Sequence, residues 1–191
     1  HRPVYATYDA WHRSLKVGSG GLPDESLAAL WDAVYMTPIE PEVVHAMRVV
    51  EQRIDTVGWR GPGNQYSVRT AWAKLAGEDE AVPVASLGEG VGRALGLALA
   101  ATGAAGGWLL VDEIDTGLHH STFPGLWRAV FSLAERLNVQ VFATTHSRDC
   151  VLGFEQVLRE QADADGALVW LQREGDQHFP AIYDREHLGV V

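Results

Sequence analysis

Two adjacent carboxylates, Asp112 and Glu113, end the apolar run Trp108-Leu109-Leu110-Val111, which contains no turn residue. A strand buried inside a parallel sheet reads as continuous hydrophobics, and ligands of open α/β sheets collect outside the carboxyl ends of such strands. Acids at that edge suit metal-assisted phosphoryl transfer to water. One carboxylate holds a magnesium ion and the other polarises the attacking water, so the two must leave one strand end in different directions. Solvated acids at an ordinary strand exit give the same local pattern, so the flanking segments carry the decision.

Upstream, Pro83-Val84-Ala85-Ser86-Leu87-Gly88-Glu89-Gly90 leads into residues 91–101, whose Leu, Val and Ala content predicts a buried helix. The hydroxyl of Ser86, the close backbone approach allowed by Gly88 and Gly90, and the unpaired amides of a helix start could hold a phosphate. A plain Ser-capped helix with glycines at its entry fits these residues too. Downstream, Asn138-Val139-Gln140-Val141-Phe142-Ala143-Thr144-Thr145-His146-Ser147 repeats the design of an apolar strand with a polar tip. Between the two strands, Phe123, Leu126, Trp127, Val130, Phe131 and Ala134 have helical spacing over the length of a βαβ crossover. Parallel neighbours result, and His146 falls beside Asp112 and Glu113, where an imidazole could bond a terminal phosphate or the attacking water. Taken alone, such a histidine reads as a capping or surface residue.

Three segments together resemble the signature motif, Walker B strand with D-loop, and switch histidine of ABC-type ATPases: Ser86-Leu87-Gly88-Glu89-Gly90 with Arg93, the stretch from Leu109 through Asp112-Glu113-Ile114-Asp115-Thr116-Gly117-Leu118-His119-His120, and Val141-Phe142-Ala143-Thr144-Thr145-His146-Ser147-Arg148-Asp149-Cys150. They occur in the family's order. The chain is similar to prokaryotic AAA-family ATP-binding proteins related to the overcoming-lysogenisation-defect group, and more distantly to structural-maintenance-of-chromosomes heads. The resemblance implies a P-loop NTPase of ABC-ATPase type, a parallel sheet flanked by helices. It implies Asp112 as the magnesium-binding acid, Glu113 as the catalytic base and His146 as the switch residue facing the γ-phosphate. Gly117, Leu118 and His119 would lie where the D-loop crosses between nucleotide sites, and Asp115, Gly117 and His119 would bind nucleotide there. Ser86, Gly88, Glu89 and Gly90 would stand for the signature loop, which contacts the nucleotide of a second protomer. The loop departs from the Ser-Gly-Gly form of transporters, which fits soluble relatives and leaves Glu89 without a transferred role. ATP and magnesium are the implied cofactors, with composite sites in a homodimer.

The family's phosphate cradle is missing. No Gly-x-x-x-x-Gly-Lys-Ser/Thr run exists, and neither Lys16 nor Lys74, the only lysines, follows such a loop. Gly18-Ser19-Gly20-Gly21 reads as a flexible connection. With His1 in place of Met, the chain is expected to be a C-terminal portion whose Walker A half lies in the same or another polypeptide, and tight ATP binding is not expected without it.

A chain of 191 residues is long enough for one real core. Its formal net charge of -10 argues against direct nucleic-acid contact, since such surfaces are basic. The single cysteine, Cys150, excludes an internal disulfide and reads as a small buried thiol at a helix start, not a catalytic one. With no membrane-length apolar run and no signal peptide, the expected place is the cytoplasm.

The positioning elements follow from periodicity. Residues 23–36 and 40–51 read as helices broken at Thr37-Pro38-Ile39-Glu40-Pro41. Residues 53–59 and 65–72 read as a β-hairpin turning at Gly61-Pro62-Gly63-Asn64, in which Trp59, Tyr66 and Trp72 serve packing. After His146, residues 148–161 are helical, and residues 167–172 and 178–183 form a closing strand pair around Glu174-Gly175-Asp176. The organisation expected is a linker over 1–22, a helical and hairpin module over 23–80, and the ATPase lobe over 81–191. The expected function is hydrolysis of ATP or GTP at a dimer interface, driving a DNA-related or phage-defence effector such as a nuclease. Alternatives are a non-hydrolytic switch or scaffold, and a metal-dependent hydrolase or nuclease using Asp112, Glu113, Asp115, His119, His120 and His146.

Overall fold

The computed structural model of the chain describes residues 14–61, 69–162 and 164–188. Its centre is a three-stranded parallel sheet in the order β1-β5-β6, formed by Ser14–Val17, Trp108–Val111 and Gln140–Ala143. The registers set Val17 opposite Val111, and Val111 opposite Ala143, so three strand ends lie level at one edge. Between β5 and β6 runs α4, Phe123–Leu137, which has a proline in its first turn and ends at Asn138 in the left-handed conformation. The helix α5, Arg148–Glu160, follows β6 and is capped by Ser147, whose Oγ accepts the Cys150 amide at 3.2 Å.

The hub is α3, Glu89–Gly103, buried through Val91, Ala94, Leu95, Leu97, Ala98, Leu99, Ala100 and Ala101. A helix apolar on so many sides must be covered all round. It packs on β1, on α4, and on the helices α1, Asp24–Val34, and α2, Glu40–Arg48. Leu109, Val111 and Val17 face this packed side, whereas Leu110 and Phe142 on the sheet's opposite face are 38% and 47% exposed. Trp108 lies edge-on to Phe142 with ring centroids 5.9 Å apart. A parallel sheet is ordinarily covered on both faces, and here Leu110 and Phe142 stay exposed on a face they share with Ser14, Lys16 and Gln140.

A second, antiparallel sheet joins β2, Ile54–Arg60, to β3, Thr70–Leu75, and β3 to β4, Ala81–Pro83. Trp59 stacks on Trp31 of α1 at 5.0 Å, and the Arg60 guanidinium lies 4.6 Å from the Trp72 ring, so both tryptophans are engaged within the fold. The chain closes with the hairpin of β7, Leu168–Glu174, and β8, Gln177–Tyr183. No helix of the described residues is long and apolar enough to cross a membrane.

Three sequence expectations need correction. The stretch 1–22 is not a linker throughout: Ser14–Val17 is a core strand, and the glycines after it form a tight turn in which the Gly21 amide bonds Gly18 O at 3.0 Å. Such a short strand is fixed by its neighbour β5, not by a pattern of its own. The second hairpin strand runs through Leu75, beyond the expected end at 72, with its described part, Thr70–Leu75, paired to β2 from Arg60↔Thr70 to Ile54↔Leu75, while residues 65–68 lie outside the described residues. Most of the expected turn, and Tyr66, lie outside the described residues. Finally, β4 carries the helix-and-hairpin unit across residue 80, and one buried cluster holds Trp31, Val43, Met47 and Ile54 together with Leu95, Leu99 and Leu109. The two expected units share a core because α1 and α2 bury their apolar faces on α3.

Candidate functional site

The carboxyl edge of the parallel sheet gathers the chemistry. Asp112 and Glu113 follow β5, while Thr144 and Thr145 follow β6. Thr144 Oγ1 donates to Asp112 Oδ1 at 2.8 Å and accepts the Glu113 amide at 2.9 Å. Thr145 Oγ1 donates to Asp115 Oδ1 at 2.5 Å and accepts the Ser147 amide at 3.0 Å. Backbone bonds extend the ladder: the Asp112 amide donates to Val17 O at 2.8 Å and the Ile114 amide to Thr144 O at 3.0 Å. Sequence reading passed over both threonines. The signal that finds them is register, since β5 and β6 end level and the residue after Ala143 must face the residue after Val111.

Glu113 has φ 47°, a left-handed conformation that a residue with a Cβ adopts only under constraint. Its side chain is half-buried, and Oε2 accepts from Thr116 Oγ1 at 3.1 Å. Asp112 is exposed, and the two carboxylates have different partners, Asp112 Oδ1 accepting from Thr144 and Glu113 Oε2 from Thr116. Asp112 offers hard carboxylate oxygens at an open edge, a donor set that fits magnesium held by one carboxylate, water and phosphates. His146 is exposed three residues beyond the end of β6, past Thr144 and Thr145.

The 86–90 loop lies against the acid loop. Ser86 sits in a 3-10 turn, Val84–Leu87, with Oγ donating to Pro83 O at 2.7 Å, so it does not cap α3. The cap position is Gly88 at φ 98°, and no side chain bonds the first amides of α3. Gly90 packs so close to the 112–118 segment that a Cβ would lie 3.0 Å from Gly117 O, and one on Gly117 would lie 3.2 Å from Glu89 Cβ. Ser86, Glu89 and Gly88 are exposed. His119 serves a local turn: Nδ1 lies 2.9 Å from Ser121 Oγ, and its ring stands 4.0 Å from that of His120. No three His, Cys, Asp or Glu side chains of the described residues converge on a point that could hold a metal ion, so the six-residue cluster proposed for a metal-dependent hydrolase does not form.

Cys150 is fully buried in the first turn of α5, and burial pushes its thiol up to about 11. A thiol so held is not a nucleophile at neutral pH.

Comparison with known proteins shows the family and the fold. An ATP/GTP phosphatase of Helicobacter pylori is 29% identical over 113 residues, 57% of this chain and 30% of that protein, so the chain spans under a third of that relative's length. An uncharacterized protein of Methanocaldococcus jannaschii is 30% identical over 102 residues, 53% of this chain and 89% of that protein. Among solved structures, an SMC ATPase described for ATP-driven dimerization and DNA-stimulated activation superposes with a TM-score of 0.57 at 12% identity, covering 86% of this chain and 92% of the other. The fold is that of an SMC-type ATPase head, a P-loop NTPase. Residues 36–150 match the family described as AAA domain, putative AbiEii toxin, Type IV TA system, and the chain belongs to that family of AAA/ABC-type ATPases.

Proposed function

We propose that the chain forms the C-terminal part of a nucleotide hydrolase that cleaves the γ-phosphate of ATP or GTP with Asp112, Glu113 and His146. The observation that carries this reading is the Thr144 hydroxyl at the sheet edge, which bonds both the Asp112 carboxylate and the Glu113 backbone amide. Asp112 would hold the magnesium ion, which supplies charge neutralisation on the phosphates. Glu113 accepts a proton from the attacking water, held off the strand line by its left-handed backbone. His146 stabilises the terminal phosphate during in-line attack.

The phosphate cradle is proposed to come from a Walker A half in the same or another chain. The exposed Leu110 and Phe142 on one sheet face, and the unpaired outer edge of β6 among the described residues, support such completion. The 86–90 loop, with its uncapped helix start, is proposed to meet the nucleotide of a second protomer, in keeping with the ATP-driven dimerization named for the SMC structure. The turnover is proposed to be cytoplasmic and to drive a phage-defence or DNA-related effector such as a nuclease; the family's description itself names a putative toxin of a toxin–antitoxin system.

The test is hydrolysis by the protein completed with its phosphate-binding half. Glu113→Gln should keep nucleotide binding and slow turnover roughly 10²- to 10⁴-fold, the worth of a general base. Asp112→Asn should weaken magnesium dependence. Parental turnover by the Glu113 variant would remove the base assignment, and a parent that binds but never hydrolyses would make this a switch or scaffold.

A further inference from the structure

Arg93 is 7% exposed, one turn into α3, and no ion pair among the described residues includes it. Its guanidinium bonds only backbone carbonyls. Nη1 donates to Gly18 O at 2.8 Å and reaches Ser19 O at 3.5 Å, while Nη2 donates to Asp112 O at 2.7 Å and Glu113 O at 2.8 Å. Nε is buried without a partner. Burying a cation is costly, and burial lowers the pKa of this group while the nearby charges of Asp115, Asp112 and Glu113 raise it. A side chain needed only for packing would carry no charge.

What the charge and its shape accomplish is visible in the acceptors. One planar fork ties the turn after β1 to the two peptides that bear the acids, and one of those peptides is left-handed at Glu113. A strained residue persists only where its surroundings over-determine it, and Arg93 grips Glu113 from the carbonyl side while Thr144 grips its amide. Because Arg93 stands on the helix that opens at Gly88, the grip also ties Glu113 to the element that carries the 86–90 loop.

We infer that Arg93 is the positioning residue for Glu113, holding the base in its left-handed conformation through the Asp112 and Glu113 carbonyls. The inference rests on the hydrolase reading above. In the completed protein, Arg93→Gln should lower kcat by roughly 10²-fold, the penalty of a base displaced by about 1 Å, with KM little changed. Arg93→Lys should not recover the rate, because a single ammonium cannot span the carbonyl set. In the Glu113→Gln background, Arg93→Gln should cost nothing further, since a positioning residue acts only through the base it positions. Amide exchange over residues 112–116 should quicken in either Arg93 variant while β5 stays protected. If Arg93→Gln does not fold, Arg93→Lys carries both measurements. Full recovery by lysine, a loss that multiplies with Glu113→Gln, or unchanged exchange would each overturn the inference. Parental turnover by Glu113→Gln alone would instead bring down the hydrolase reading, and the inference with it.

Discussion

Thr144 donates its hydroxyl proton to Asp112 across two neighbouring parallel strands, at 2.8 Å, and uses a lone pair of the same oxygen for the Glu113 amide. One hydroxyl therefore orients both the carboxylate proposed to hold magnesium and the backbone of the proposed base. Thr144→Val keeps the shape and removes both bonds. It should weaken magnesium-supported turnover by roughly 10- to 100-fold, the usual worth of a partner behind a metal ligand. A magnesium titration of the hydrolysis rate checks this, and a curve identical to the parent's would count against the linkage.

His146 is exposed at the same edge, and the role proposed for it belongs to the transferring phosphoryl group. His146→Ala should lower turnover more than nucleotide affinity. Binding and single-turnover measurements on one preparation separate the two. A fall in affinity with unchanged turnover would move His146 to ground-state binding.

The 86–90 loop offers a test of two-protomer chemistry. Ser86 is exposed and its hydroxyl bonds only the local Pro83 carbonyl, so a larger side chain there leaves the fold intact. Ser86→Arg should abolish nucleotide-driven dimerisation and turnover, because dimer and nucleotide stabilise each other by linkage. Mixing it with a variant defective in the phosphate cradle should restore part of the activity, since one of the two composite sites then carries neither lesion. Sedimentation showing a fully active monomer would defeat the composite-site proposal.

Cys150 predicts a pH effect on stability. Its folded pKa, about 11, stands above the ordinary thiol value near 8.5. A raised pKa means that the unfolded chain loses this proton first, so the contribution is whole below about 8.5 and is lost as pH climbs through about 11. Denaturant unfolding across that window should show the decline, and Cys150→Ala should lack it. Thiol reagents at pH 8 should label the native protein slowly and the unfolded protein fast.

The apolar run before Asp112, the helical spacing between the two strands and the polar tips made β5, α4, β6 and α5 readable within a few residues. Each carries its own periodicity and its own stop signal. Ser14–Val17 has none, since its strand character comes from pairing with β5. A proline and short length hid β4 in the same way. At the site, residue types at strand ends were legible from sequence, but what holds them was not. Thr144, Thr145 and Arg93 act across 19 to 32 positions of sequence, and only strand register or helix placement brings them to the acids.

The left-handed backbone at Glu113 sets two selective pressures against each other. Glycine or asparagine would occupy φ 47° with less strain, and replacing a residue in that region by glycine relieves the native state. A library of position 113 variants screened for heat tolerance alone should therefore drift toward those residues, each of which lacks the carboxylate. A screen that demands turnover should return glutamate despite its lower melting temperature. The same site thus becomes a meter of what a lineage has been selected for: relatives freed from hydrolysis would be expected to relax this one backbone angle first.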